Sequence, residues 1–272
     1  MNTSAERYRI LGSIEVRTGE SWVDVPPAKW RALLAVLLIN ANHIVPVDEL
    51  EHQLWPQCPP PAARKLVQHY VSRVRRLIGD PRGHALRTRP RGYELTVGRG
   101  ELDADRFMEL SATGHRALVA GEHVAAARHF LEALSCWRGG AALANVGGVP
   151  AVEIERFRLN EHRLTTVETW LRAELAGGTP EAVIAELQAL VAAHPLRERM
   201  RELLMIALYL AGRRCDALAA CRDLRAILRE EHGLDPDDSV CRLEQKILRG
   251  EPVDLMVRGR LPSPPVPAAR PQ

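Results

Sequence analysis

Apolar and polar positions alternate along this chain with two different periods, and the change of period divides it. Near the start, Tyr8 and Ile10, then Ile14 and Val16, alternate with polar neighbours and predict a strand broken near Gly12. A turn at Thr18-Gly19-Glu20 leads to a short returning strand through Trp22, Val23 and Val25. After Pro26-Pro27 the spacing becomes helical. Trp30, Leu33, Leu34, Leu37 and Leu38 share a face until Asn40-Ala41-Asn42 stops the helix. Residues 44–47 read as extended, and a second helix over 47–55 carries Leu50, Leu54 and Trp55 before Pro56 closes it. Pro59-Pro60-Pro61 makes a stiff loop, and a third helix follows over 62–79. Gly79-Asp80-Pro81-Arg82-Gly83 is turn chemistry, and two short strands then flank a tip at Pro90-Arg91-Gly92. Strands, three helices and a hairpin describe an α+β winged helix-turn-helix, with Trp30, Trp55 and Tyr70 expected in its core.

From Asp103 the pattern is helical throughout, starting with Phe107, Leu110, His115, Leu118 and Val119 on one face. Ala120-Gly121-Glu122-His123, Ala176-Gly177-Gly178-Thr179 and Ala211-Gly212-Arg213-Arg214 resemble one another. Gly178 and Gly212 lie 34 positions apart, the period of a tetratricopeptide helical pair. The first interval is longer, so an insertion is expected, and the Gly- and Ala-rich stretch 138–149 reads as that loop. Trp137 and Trp170 are read as core. Asp237 or Asp238 is placed to cap a last helix over 240–248. The expected organisation is therefore two domains: a winged helix over 1–98 and an all-α, tetratricopeptide-like array over 101–250. A Pro-rich tail over 251–272 is expected to be disordered.

The third helix changes the picture. Leu66, Val67, Tyr70, Val71, Val74, Leu77 and Ile78 gather on one arc, opposite Arg64, Lys65, Gln68, His69, Ser72, Arg73, Arg75 and Arg76. No acid follows until Asp80. A merely solvated helix usually mixes acids into such a face for i,i+4 pairs. Cations with Gln, His and Ser suit phosphates and base edges in a major groove. Arg64, Gln68, His69 and Arg73 are candidates for base edges, although His69 reads equally as a plain polar residue and the Arg73 stem as packed on the core. Lys65, Arg75 and Arg76 are read as gripping phosphates. Arg87, Arg89 and Arg91 ornament the hairpin and suit phosphates or a minor groove. The first hundred residues carry 15 basic and nine acidic groups, whereas residues 101–250 carry 19 basic and 23 acidic. A basic half joined to an acidic half points to a polyanion partner for the first and another partner for the second.

Other chemistry is poorly served. The five cysteines include no C-x-x-C pair, and free thiols in a reducing cytosol are expected. No paired ligand spacing suggests a metal site, and no cofactor is expected. No phosphate loop, G-x-S-x-G or H-E-x-x-H occurs. The start lacks an apolar secretory segment, and apolar runs fall well short of the ~20 residues a bilayer needs. A cytoplasmic, nucleoid-associated, non-catalytic protein is expected.

The residues also carry a family likeness. RILGSIEVR, PPAKWRALLAVLL, VDELEHQLWP, VSRVRRLIG and the wing RTRPRGYEL, followed by DADRF, LEALSCWRG, the long block from ELQALVAAHPLRERM to EEHGLDP, and LEQKIL, resemble the Streptomyces antibiotic regulatory proteins (SARPs). The resemblance implies an OmpR-like winged helix followed by a bacterial transcriptional activation domain. It implies activation of antibiotic biosynthetic genes. The protein would bind direct repeats in double-stranded promoter DNA as a head-to-tail homodimer and recruit RNA polymerase, in part through its sigma factor. It places Arg73 and Arg75 on the recognition helix and Arg91 at the wing tip. The loop holding Pro56, Gln57, Pro59, Pro60 and Pro61 lies where related proteins touch polymerase. Larger relatives append an ATPase module and sensor repeats, so the small form of the family is expected. Two rival readings stand beside this one: a helical interaction or ligand-sensing module merely tethered to DNA, and a repressor.

Overall fold

The computed structural model describes residues 6–253, so most of the tail expected over 251–272 lies outside the described residues. Two compact units are formed. Among the described residues, the first comprises 6–111 and 132–163, and the second 112–131 and 164–253.

The first unit opens on an antiparallel meander of β1 (Tyr8–Arg9), β2 (Glu15–Thr18) and β3 (Ser21–Asp24). Three helices follow: α1 (Ala28–Ile39), α2 (Val47–Leu54) and α3 (Ala63–Leu77). The second sheet joins β4 (Ile44–Pro46) and the hairpin β5 (Leu86–Arg89)–β6 (Gly92–Leu95), in the order β4-β6-β5. This is the expected winged helix-turn-helix. Its core gathers the continuously buried stretch Ala32–Leu38 of α1 with Leu50 and Leu54 of α2 and Val67, Val71 and Val74 of α3. Full burial of such side chains is worth about 1.5–3 kcal/mol each. Trp30, Trp55 and Tyr70 depart from expectation: all three are only half-buried and pack against the edge of that core.

Residues on both sides of the expected boundary near residue 100 share the first compact unit. The reason lies in the backbone of residues 7–14. Only Tyr8 and Arg9 pair with β2 on this strand, leaving the peptide groups around them to be satisfied elsewhere. Glu101 accepts the N–H groups of Arg7 and Tyr8 on its carbonyl, both at 2.9 Å. The Asp103 carboxylate accepts the N–H groups of Ile10 and Leu11 at 2.8–3.0 Å. The stretch 138–149 is a loop as expected, but an ordered one. Arg138, Leu143 and Ala144 donate their N–H groups to the carbonyls of Leu11, Ile10 and Gly12 at 2.8–3.0 Å. The Asn145 side chain accepts from the Ile14 N–H at 2.9 Å. Phe107 and Trp137 join the same core, edge to face at 5.6 Å. The winged helix thus draws residues from well beyond position 100 into its own unit.

The remaining helices are α4 (Asp103–Val119), α5 (His123–Leu134), α6 (Pro150–Ala176), α7 (Pro180–Ala193), α8 (Glu198–Leu210), α9 (Arg214–His232) and α10 (Asp238–Arg249). The three similar Ala-Gly segments fall at equivalent places, the turns α4–α5, α6–α7 and α8–α9, with Gly121, Gly178 and Gly212 at positive φ. In the second unit α8 is the central element, buried from Met200 through Leu208, with α7, α9 and α10 packed on it. Asp237 is the cap of α10 and accepts the Ser239 N–H. Trp137 is buried as expected, while Trp170 is half-buried.

Candidate nucleic-acid interface

α3 forms because its apolar residues recur at helical spacing, and burying Val67, Val71, Val74 and the following Ile78 turns the opposite face outward. Arg64, Lys65, Gln68, His69, Ser72, Arg73 and Arg76 are all exposed along it. Their environments divide them. Lys65, Gln68, Ser72 and Arg76 have no side-chain partner among the described residues. Arg64 reaches back to α2, with Asp48 at 2.8 Å and Glu51 at 3.6 Å. The Asp48 pair is solvent-exposed, so it holds the side chain weakly. Arg73 donates to His69 at 3.5 Å, and its guanidinium lies 5.9 Å from the centre of the Trp30 ring. This role for Trp30 is not legible in the sequence, because a helical spacing cannot tell a core aromatic from one at the core's edge.

Arg75 stands apart from the others. It is half-buried, and its guanidinium donates to the Leu86 carbonyl and to the Thr88 hydroxyl, both at 2.9 Å. It braces the wing against the helix. Asp80 completes the brace. This buried carboxylate accepts the N–H groups of His84, Ala85 and Leu86 at 2.7–2.8 Å. Burial pushes its pKa up, but these three donors and nearby His84 outweigh burial and hold it below the ordinary carboxylate value.

In the wing, Arg87 donates to the His84 carbonyl at 2.8 Å, and Arg89 pairs with Glu94 at 2.6 Å. Arg91 at the tip is exposed, and its side chain has no partner among the described residues. Its carbonyl accepts the Val47 N–H at 3.1 Å, which ties the tip to the start of α2. Arg82, in the turn after α3, is likewise exposed and without a partner among the described residues. In the sequence Arg82 stands only as part of the turn Gly79-Asp80-Pro81-Arg82-Gly83. The loop carrying Pro56, Gln57, Pro59, Pro60 and Pro61 is exposed between α2 and α3, with Pro60 partly covered. The interface thus offers unpaired donors on α3 and at the wing tip, set on a scaffold of arginines that are already engaged.

Comparison with known proteins supplies what geometry does not. The profile of the family described as "Bacterial transcriptional activator domain" matches residues 102–248, and that of "Transcriptional regulatory protein, C terminal" matches 25–95. The regulatory protein DnrI of Streptomyces peucetius is 35% identical over 254 residues, covering 90% of this chain and 93% of DnrI. The chain belongs to the SARP family. The AfsR regulatory protein of Streptomyces griseus is 37% identical to this SARP over 91% of the chain, but the match spans only 25% of AfsR. A solved structure of EmbR from Mycobacterium tuberculosis, in complex with a low-affinity phosphopeptide, superposes with a TM-score of 0.87. It is 36% identical and covers 92% of this SARP and 66% of the EmbR chain. This SARP therefore combines an OmpR-type winged helix with a bacterial transcriptional activation domain, the architecture of a family of transcriptional regulators, and spans about a quarter of the length of AfsR. No helix among the described residues is long and apolar enough to cross a membrane.

Proposed function

We propose that the protein is a sequence-specific activator of an antibiotic biosynthetic gene cluster. It binds direct repeats in promoter DNA as a head-to-tail homodimer and recruits RNA polymerase. The observation that carries the reading is the row of exposed, uncommitted donors on α3 together with Arg91 at the wing tip. A helix lying in the major groove needs such groups, and a braced wing carries a cation to the neighbouring minor groove or phosphates. Arg73, with Gln68 or His69, contributes base readout, and Arg91 adds contacts from the wing. Lys65, Arg76, Arg64, Arg87 and Arg89 position the protein on phosphates, the last three after leaving their present partners. Arg75 acts as a positioning residue, since its donors are spent on the wing. The loop with Pro56, Gln57, Pro59, Pro60 and Pro61 faces polymerase, including its sigma factor.

The test is fluorescence anisotropy on duplexes from the promoters beside the protein's own gene. Arg73→Ala should lose about 1–3 kcal/mol and relax discrimination at one base pair. Full affinity and full discrimination in that variant would overturn its role. In transcription with purified polymerase, the wild type should raise transcript yield. Gln57→Ala should bind DNA normally and activate less. A fall in transcript on adding the wild type would make the protein a repressor.

A further inference from the structure

The second unit contains a groove of about 600 Å³ that DNA binding leaves unused. It runs between α7, α8 and α9, and Val191, Leu204, Leu208 and Ile227 give it apolar walls. Arg201 of α8 also lines it. That side chain is only 7% exposed, and its Nε has no hydrogen-bond partner among the described residues. No ion pair of Arg201 closes among the described residues either. Burial lowers its pKa from the ordinary guanidinium value, and Asp223 opposes that shift through space. The other arginine on the groove, Arg213, is already paired with Asp216 at 2.7 Å.

A guanidinium presents five N–H donors in a planar fork, and burying it unpaired is costly unless something completes it. Among the described residues of this unit the Arg201 Nε–H meets no acceptor, and Asp223 acts on the group only through space. A carboxylate matches the fork with two parallel hydrogen bonds. The walls add a demand for aliphatic side chains on either side of that carboxylate. Asp216 and Asp223 on the groove disfavour a polyanion such as nucleic acid, whereas Asp223 suits the backbone N–H groups of a peptide. The volume is that of a site for a few side chains. We propose that the α7–α9 groove binds a peptide segment presenting a carboxylate between apolar side chains, with Arg201 as its anchor. This site is separate from the α3 interface and does not depend on how that interface reads DNA.

The test is selection of phage-displayed random dodecapeptides on the full-length protein. Peptides carrying Asp or Glu beside Leu, Ile or Val should be enriched about tenfold or more over the same selection on Arg201→Met. Because the arginine is held there for a ligand, Arg201→Met should keep or raise Tm. Ala219→Glu, which adds bulk and negative charge to the groove wall, should also abolish the enrichment while Arg201 remains. Recovery of no peptides, recovery of peptides without acids, or equal recovery on Arg201→Met overturns the proposal. A Tm lowered by several degrees in Arg201→Met overturns it too, since that would make the arginine a structural element.

Discussion

Asp80 and Arg75 decide more about the interface than the exposed arginines do. Asp80 gathers three consecutive N–H groups at the root of the wing, where a backbone emerging from a turn would otherwise leave them unpaired. Its pKa lies below the ordinary 3.8, so its charge adds stability at pH values above that and loses it as the pH falls through the folded value. Asp80→Asn should therefore destabilise the protein by about 1–3 kcal/mol at pH 7. In denaturant titrations at pH 3 the gap from the wild type should narrow, and an unchanged gap would show that the charge is irrelevant. Arginines one position apart should separate cleanly. Arg75→Ala should lower Tm, having lost two hydrogen bonds to the wing worth about 1–2 kcal/mol together. Arg76→Ala should leave Tm unchanged and reduce the salt dependence of DNA binding by about 0.9 log units per log unit of salt, the signature of one lost phosphate contact. Neither distinction was visible in the sequence, where both residues sit in one run of cations.

At the scale of elements, the wing is assembled by close approach. Gly92 opposes Pro46 across β4 and β6, and a Cβ there would lie 2.0 Å from the Val45 carbonyl oxygen, which belongs to the backbone and cannot turn aside. Gly92→Ala should unpair β4 from β6 and release the tip from α2. The readout is loss of amide hydrogen-exchange protection at Val45 and Tyr93, with weaker DNA binding while α3 stays helical. Asn42, at φ 65°, secures the other end of the wing by giving and taking hydrogen bonds with Val97 at 3.0 and 2.9 Å. The elements themselves were legible. The helical spacing of Val67, Val71 and Val74 located α3, and the Pro90-Arg91-Gly92 tip located the hairpin, because periodicity and turn chemistry are local. Partners such as Val45 for Gly92 are distant in sequence and left no local trace.

At the scale of the whole molecule, the decisive feature is that residues well beyond 98 join the compact unit that holds the winged helix. Glu101, Asp103 and the loop 138–149 satisfy the backbone of residues 7–14. Asp103 is buried, which pushes its pKa up to about 6 against the pull of the Ile10 and Leu11 N–H groups and Arg138. Those N–H groups and the Arg138 guanidinium favour the charged form that burial opposes. A fragment ending at residue 98 should thus have a markedly lower Tm than the full chain and should lose hydrogen-exchange protection at Ile10 and Leu11. A fragment as stable as the intact protein would refute this. A truncation near residue 100 is for the same reason a poor way to ask what the helical half does.

The sequence by itself determined the kinds of element and their order, the cationic face of α3, and the likeness to a family of regulators. Each of these depends on residues within a turn or two of one another, or on short motifs read in order. Tertiary structure alone decided which arginines are spent and which remain available, that Trp30 lies beside Arg73, that residues 132–163 complete the winged unit, and that Arg201 is buried without a hydrogen bond at its Nε. Those facts turn on pairings across tens of residues. In them the cost of leaving a buried N–H group or charge unsatisfied, rather than any local preference, selects the partner.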